Sequence, residues 1–251
     1  MKTSLNYKIL FWILFIITWY LMGRVIHSNL ILPYPHKVLY KIIDLLKNPY
    51  FYQHLIATML RGIMGLLLAL IFGLIFGIIK NPYVYNSIRS IIDLFQSNPL
   101  IVWITLALFW FGFGDKTIIF IVFVVLFPNF YLNTYNAIKN MPREYIELFK
   151  IYPVCKKKYF LKFLIPYLKP FLLPSFAISI VSSFKISAMA EFFSGEKGIG
   201  FLISYAKTFL NVEEVYAYAL FLFLLSKSSE FIFQRTGFLR ESVKNGFFKT
   251  N

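Results

Sequence analysis

The sequence predicts an all-α integral membrane protein: six transmembrane helices, with a helix, a corner and a second helix lying on the cytoplasmic face. Three observations support this. Of the 251 residues, 59% are hydrophobic and only 15% charged, which is more apolar surface than a soluble domain of this size buries. Six apolar runs approach the roughly 18 to 20 residues that cross the hydrocarbon of a bilayer. A charged, half-apolar stretch of helical periodicity, Pro142 to Pro166, separates the fourth run from the fifth.

The first run, Ile9 to Ile26, follows a short basic start. No small-x-small cleavage site follows it, and the bulky "TWYLMGRVIH" marks a retained anchor from whose end Arg24 can snorkel. Next, "PHKVLYKIIDLLKN" reads as an amphipathic helix on the outer headgroups. Its Lys37, Lys41 and Lys47, with Arg61 further on, are otherwise awkwardly basic for an outer loop. Gly62 to Ile79 is the second run; Gly65, Gly73 and Gly77 allow close helix contact, and Gly73-x-x-x-Gly77 is the small-residue packing pattern. Asn81 to Pro99 places Ile88, Ile91, Ile92 and Phe95 at helical spacing and reads as an interfacial helix.

The third run, Pro99 to Gly114, ends at "WFGFGDK", whose glycines and charges mark a tight turn. Thr117 to Ile138 is the fourth run and Pro170 to Ala190 the fifth. Val215 to about Phe233 is the sixth, interrupted by Lys227 and Glu230, which at three apart are expected to pair. Everything belongs to one membrane unit, residues 1–251, with a core at about 55–235 and the charged stretch at 140–166; no repeat, linker or soluble domain is visible.

Six crossings put both termini on one side. That side is read as the cytoplasm of a bacterial cell, the protein being multi-pass in the inner membrane, because cations concentrate there. Lys139, Arg143, Lys150, Lys156, Lys157, Lys158 and Lys162 lie between runs four and five, and Arg235, Arg240, Lys244 and Lys249 in the tail. The net charge of +15 is thereby read as topology, with no nucleic acid as partner. Cys155, alone of its kind, and His27, His36 and His54, without ligand spacing, give no metal or redox centre.

No G-x-x-x-x-G-K-[ST] loop is present, so ATP has no phosphate cradle here, and "GEKGIG" at Gly195 to Gly200 reads as an outer turn. Without paired carboxylates or a nucleophile arrangement, an enzyme is not expected.

Within Pro142 to Pro166, Pro142 suits the first position of a helix. Tyr145, Leu148 and Phe149 then follow at i, i+3 and i+4 among Glu144, Glu147 and Lys150, which makes a two-faced helix. Pro153 interrupts it. A second short helix from about Lys156 presents Phe160, Phe163 and Leu164, until Pro166 breaks it. Two readings stand: an interfacial segment attracting anionic lipid, or a docking element whose apolar knob sits in a partner's groove.

Two polar stripes are also open to two readings each. Asn129, Asn133 and Asn136 at i, i+4 and i+7 in the fourth run serve interhelical hydrogen bonding or line a water-filled path. Ser179, Ser182, Ser183 and Lys185 form a polar face on the fifth run. Lys185 either snorkels outward or faces the cavity, where its charge suits an anionic or strongly polar solute.

Residues 142–166 resemble the EAA loop of permease subunits of ATP-binding-cassette importers, a pattern of Glu-Ala-Ala, three residues, Gly, nine residues and Ile-x-Leu-Pro. Glu147 takes the Glu position and Pro166 the final Pro at the same separation; Leu148 and Phe149 replace the alanines, Pro153 replaces the glycine, and Leu164 or Ile165 supplies the aliphatic residues. "LPYPHKVL", "HLIATMLRGIMGLLLALIFGLIFG", "WFGFGDK", "NTYNAIKNMPREYIE" and "FKISAMAEFFSGEKGIGFLI" are similar, in order from about Leu32 to Arg240, to stretches of the branch importing nitrate, sulfonates and taurine.

The resemblance implies a transmembrane importer subunit that dimerises with a second copy and receives solute from an extracytoplasmic binding protein. Two separate ATPase subunits would carry ATP and Mg, leaving no cofactor on this chain. They would grip Tyr145, Glu147, Leu148, Phe149, Pro153, Phe160 and Pro166. Asn129, Asn133, Asn136, Ser182 and Lys185 are the candidate lining of the path. The alternative is a secondary transporter driven by an ion gradient, which usually needs intramembrane carboxylates, and the one acid inside any predicted run is Glu230.

Overall fold

A computed structural model describes residues 2–28, 30–152 and 154–235. Pro153, the expected corner, and the tail cations Arg240, Lys244 and Lys249 lie outside the described residues. Among the described residues there are eleven α-helices and no strand. They are α1 (Lys2–Ile26), α2 (Pro35–Lys47), α3 (Pro49–Gly77), α4 (Pro82–Ser97), α5 (Leu100–Phe111), α6 (Asp115–Lys139), α7 (Arg143–Ile151), α8 (Lys156–Tyr159), α9 (Ile165–Ser194), α10 (Ile199–Thr208) and α11 (Val212–Arg235). Proline opens α2, α3 and α4, where its missing N–H is one that no helix satisfies. Asn48 and Asn81 cap α3 and α4 by accepting the N–H of Tyr50 and Tyr83 on their side chains.

Three helical stretches are long and apolar enough to cross a membrane: α3, α6 and the continuous Lys156–Ser194. The expected third crossing is different. Its helix, α5, has 12 residues, about 18 Å at 1.5 Å per residue, short of the roughly 30 Å of hydrocarbon. The chain turns by 107° between α4 and α5, because the residue before Pro99 avoids the helical region and Asn98 is extended. The supposed interfacial helix and third crossing are therefore two arms of one bent pair, which counts as a fourth span only if taken together. The apolar part of α1, Leu10–Ile26, is shorter, and α11 carries Glu213 and Glu214 in its first turn. Length and composition thus support three or four spans among the described residues, where the sequence suggested six.

The centre of the bundle is the seam between α3 and α6, closed by α9. Gly65, Gly73 and Gly77 face Val122, Phe130 and Thr134 so closely that an added Cβ would lie 2.5, 2.6 and 2.6 Å from the opposing Cβ atoms. The small residues let the two backbones approach, and Leu66, Ala69, Val122, Leu126, Phe127, Phe130 and Tyr131 are buried around the seam.

At one end α2, α3, α10 and α11 bury Val38, Phe51, Ile199, Leu202 and Tyr218. The helix α2 is packed on protein there: Lys37 pairs with Glu213 at 3.5 Å and Lys41 with Glu214 at 2.7 Å. These lysines, which the sequence placed on headgroups, are partly neutralised by the start of α11. The expected Lys227 to Glu230 pair forms at 2.8 Å.

Candidate coupling and translocation site

The Pro142 to Pro166 stretch folds as the expected two helices, but its end differs. Pro166 does not stop the chain. Phe160–Leu164 forms a π-helical turn, with the Ile165 N–H donating five residues back to the Phe160 carbonyl, and the widened turn admits the ring so that α8 and α9 run on as one helix.

Aromatic rings anchor α7 to this long helix. Tyr145 lies 5.4 Å from Phe163 and 6.2 Å from Tyr167, and Phe149 lies 4.8 Å from Tyr159 and 4.6 Å from Phe163, centroid to centroid. Met141, Ile138, Leu164 and Leu168 are buried beneath them.

The anchoring sorts the candidate docking residues. Tyr145 and Phe149, at i and i+4, share one face and are half-buried against the bundle. Leu148, about 100° around the helix from Phe149, is 48% exposed. Glu147, Ile151, Tyr152 and Phe160 are exposed with it. Glu147, Leu148 and Phe160 thus offer a surface, Tyr145 and Phe149 do not, and Pro166 is exposed on the helix beyond.

In the bundle, Asn129 donates to the Ser179 hydroxyl of α9 at 3.2 Å, and Asn133 donates at 2.8 Å to both the backbone carbonyl and the side-chain oxygen of Asn129. Asn129 therefore ties α6 to α9, Asn133 bonds back to Asn129 within α6, and Asn136 is exposed. Ser182 is half-buried, and Lys185 is exposed on a stripe of α9 that also shows Ile178 and Met189.

The most connected polar group was missed in the sequence. Arg61, expected beside an outer loop, is buried in α3. Its Nε and Nη2 donate to Asp115 Oδ1 at 2.7 and 2.6 Å, and its Nη1 donates to Glu191 Oε1 at 3.0 Å and to the Lys197 carbonyl at 2.6 Å. Glu191 is fully buried and accepts on Oε2 from the Thr58 hydroxyl at 2.7 Å and the Gly200 N–H at 3.1 Å.

Thr58 in turn accepts the Ile199 N–H at 2.8 Å, and His54 Nδ1 accepts the Gly198 N–H at 3.0 Å. Three of the free N–H groups that begin α10, those of Gly198, Ile199 and Gly200, are thereby capped by buried side chains. Only glycine fits here: Gly198 has φ +114°, and a Cβ on it or on Gly200 would collide with Glu191 or with the Ala188 carbonyl. A buried carboxylate inside the bundle also removes the sequence argument that Glu230 was the single intramembrane acid. One signal was available, since His54, Thr58 and Arg61 stand at i, i+4 and i+7, the spacing that exposed the asparagine stripe.

The bundle of apolar helices thus carries this charged segment between α6 and α9. The model of the family described as "Binding-protein-dependent transport system inner membrane component" matches residues 65–235, and the chain belongs to that family. It is 25% identical over 194 residues to the formylaminopyrimidine transport permease protein ThiX of Halalkalibacterium halodurans, covering 76% of this chain and 77% of that one. Identity is also 25% over 212 residues to the taurine transport system permease protein TauC of Escherichia coli, covering 82% and 77%. The nitrate import permease protein NrtB of a Synechocystis strain is 24% identical over 75% of this chain and 72% of its own. The fold is similar to a chain of the MetNI methionine ABC transporter solved in inward-facing conformations, with a TM-score of 0.62 and 21% identity, over 80% of this chain and 98% of that one.

Proposed function

We propose that the chain, one membrane unit over residues 1–251 with its core at about 55–235, is the transmembrane subunit of an ATP-driven importer for a small polar or anionic solute. It works as a homodimer beside two ATPase subunits, which carry ATP and Mg, and takes solute from an extracytoplasmic binding protein. Relatives named for taurine, nitrate and formylaminopyrimidine transport support the solute class. Six crossings result when α1, α3, the bent pair α4–α5, α6, α9 and α11 each cross once. Both termini and the coupling segment are then cytoplasmic, and the Gly112 to Asp115 turn and α10 are extracytoplasmic.

The observation supporting ATPase docking is the exposed strip of Glu147, Leu148, Ile151, Tyr152 and Phe160 on a segment whose other face is fixed by rings. An apolar strip with a charged rim suits helix-in-groove recognition. Because the segment continues into α9 without a break, displacing it moves that helix as a lever, and the bundle alternates between outward and inward access.

The test is co-expression with the ATPases and solute-binding proteins of the same genome. Capture of an ATPase in detergent, and uptake into vesicles that requires ATP, are expected. Uptake by the chain alone, independent of ATP, would refute the proposal in favour of a secondary transporter.

A further inference from the structure

We infer that Arg61 is the fixed post of a releasable latch, on which Asp115 hooks the α5–α6 turn to the start of α10. The direction in which the latch opens rests on the orientation proposed above. The geometry is asymmetric. The Glu191 side chain is 0% exposed and that of Arg61 8%, whereas that of Asp115 is 69% exposed. Separating Arg61 from Glu191 strands a buried carboxylate, which is strongly unfavourable. Separating Arg61 from Asp115 returns one carboxylate to water and costs Arg61 the acceptor of its Nε and Nη2, while its charge stays paired through Nη1 with Glu191 and the Lys197 carbonyl.

The turn that Asp115 holds is open on its outer side. Gly112 and Gly114 have φ of +73° and +107° with no atom within 4 Å of a Cβ placed on them. Phe109 and Phe113 beside them are exposed. A second polar link from this turn to the α9–α10 edge is the Gly114 N–H, which donates to the Ser194 carbonyl at 3.1 Å.

Arg61 itself cannot follow the turn, because Glu191, Thr58 and His54 tie it to the capped start of α10. Release of Asp115 therefore parts the turn from α10 and leaves the rest of the cluster assembled. In the proposed orientation this parting opens the extracytoplasmic end of the bundle. Arg61 and Asp115 are positioning residues that set how often it does so.

The experiment reads the distance between spin labels at Phe113→Cys and Glu196→Cys, both exposed positions, in the full chain carrying Cys155→Ser in lipid nanodiscs. The parent should give one short distance. Asp115→Asn should raise the ratio of a longer to a shorter population roughly two- to five-fold, the range for a partly exposed ion pair, with the thermal midpoint falling by no more than about 4 °C. Asp115→Glu, which keeps the charge at the helix start, should return the parent distribution. Identical distributions in Asp115→Asn and the parent would overturn the latch. So would a midpoint lowered by more than about 4 °C in Asp115→Asn, which would make the pair a static buttress. The distances need neither ATPase nor solute, so a chain that failed the transport test could still show the latch, and transport with an unmoved turn would sink the latch alone.

Discussion

Leu148 and Phe149 are adjacent in the chain and should fail in opposite ways. Phe149 meets Tyr159 edge-on at 89° and Phe163 at 62°. Each such pair contributes about 0.5–1.5 kcal/mol beyond burial, so Phe149→Ala should cost the isolated permease about 1–3 kcal/mol. Its thermal midpoint should fall by about 2 to 4 °C per kcal/mol, as for a chain of this length. Leu148 is half exposed, and Leu148→Ala should stay within about 0.5 kcal/mol of the parent. Unfolding of each variant in detergent, followed by tryptophan fluorescence, gives the first comparison, and capture of the ATPase by tagged permease gives the second. Leu148→Ala should lose ATPase with its stability intact. Phe149→Ala should bind ATPase in proportion to the folded fraction, yet transmit its motion poorly. Equal destabilisation by the two substitutions, or an unshifted midpoint in Phe149→Ala, would refute the inward placement of that ring.

Three further substitutions probe the bundle. Gly73→Ala puts a Cβ 2.6 Å from that of Phe130 and forces α3 and α6 apart by about 1 Å to reach ordinary contact. A loss of about 1–3 kcal/mol is expected, and an unchanged unfolding midpoint would contradict the seam. Glu191→Ala removes the acceptor shared by Arg61, Thr58 and Gly200. It should destabilise by about 3–5 kcal/mol, as breaking a buried ion pair does, with Glu191→Gln intermediate in the same unfolding assay. Lys185→Met, at an exposed position of α9, should weaken uptake of an anionic solute and spare folding; unaltered transport kinetics would exclude a role for this charge in the path.

The class of the protein and the rhythm of its helices were written locally. Apolar runs identify membrane helices because burial in lipid depends on composition. The prolines at 35, 49 and 82 mark helix starts because ring geometry acts on neighbouring residues. The glycine stripe announced the α3–α6 seam for a similar reason, since close packing needs small residues at helical spacing whatever the partner.

Other features depended on partners far along the chain. Arg61 lies 54 residues from Asp115 and 130 from Glu191, so in one dimension it is a stray cation near a loop, and only folding shows it to be the centre of a cluster. Phe149 and Leu148 look equally apolar in a two-faced helix; the rings of Tyr159 and Phe163 decide which of them is covered. The break at Asn98 and Pro99 was legible as a boundary, but its 107° angle was not, since a proline tells the chain to stop being helical without saying where the next helix will point. Local sequence thus marked most of the helices, though not α10, and showed that they belong in a bilayer. Tertiary packing alone settled which polar groups find one another, because a buried charge is tolerated only where distant segments bring it a partner.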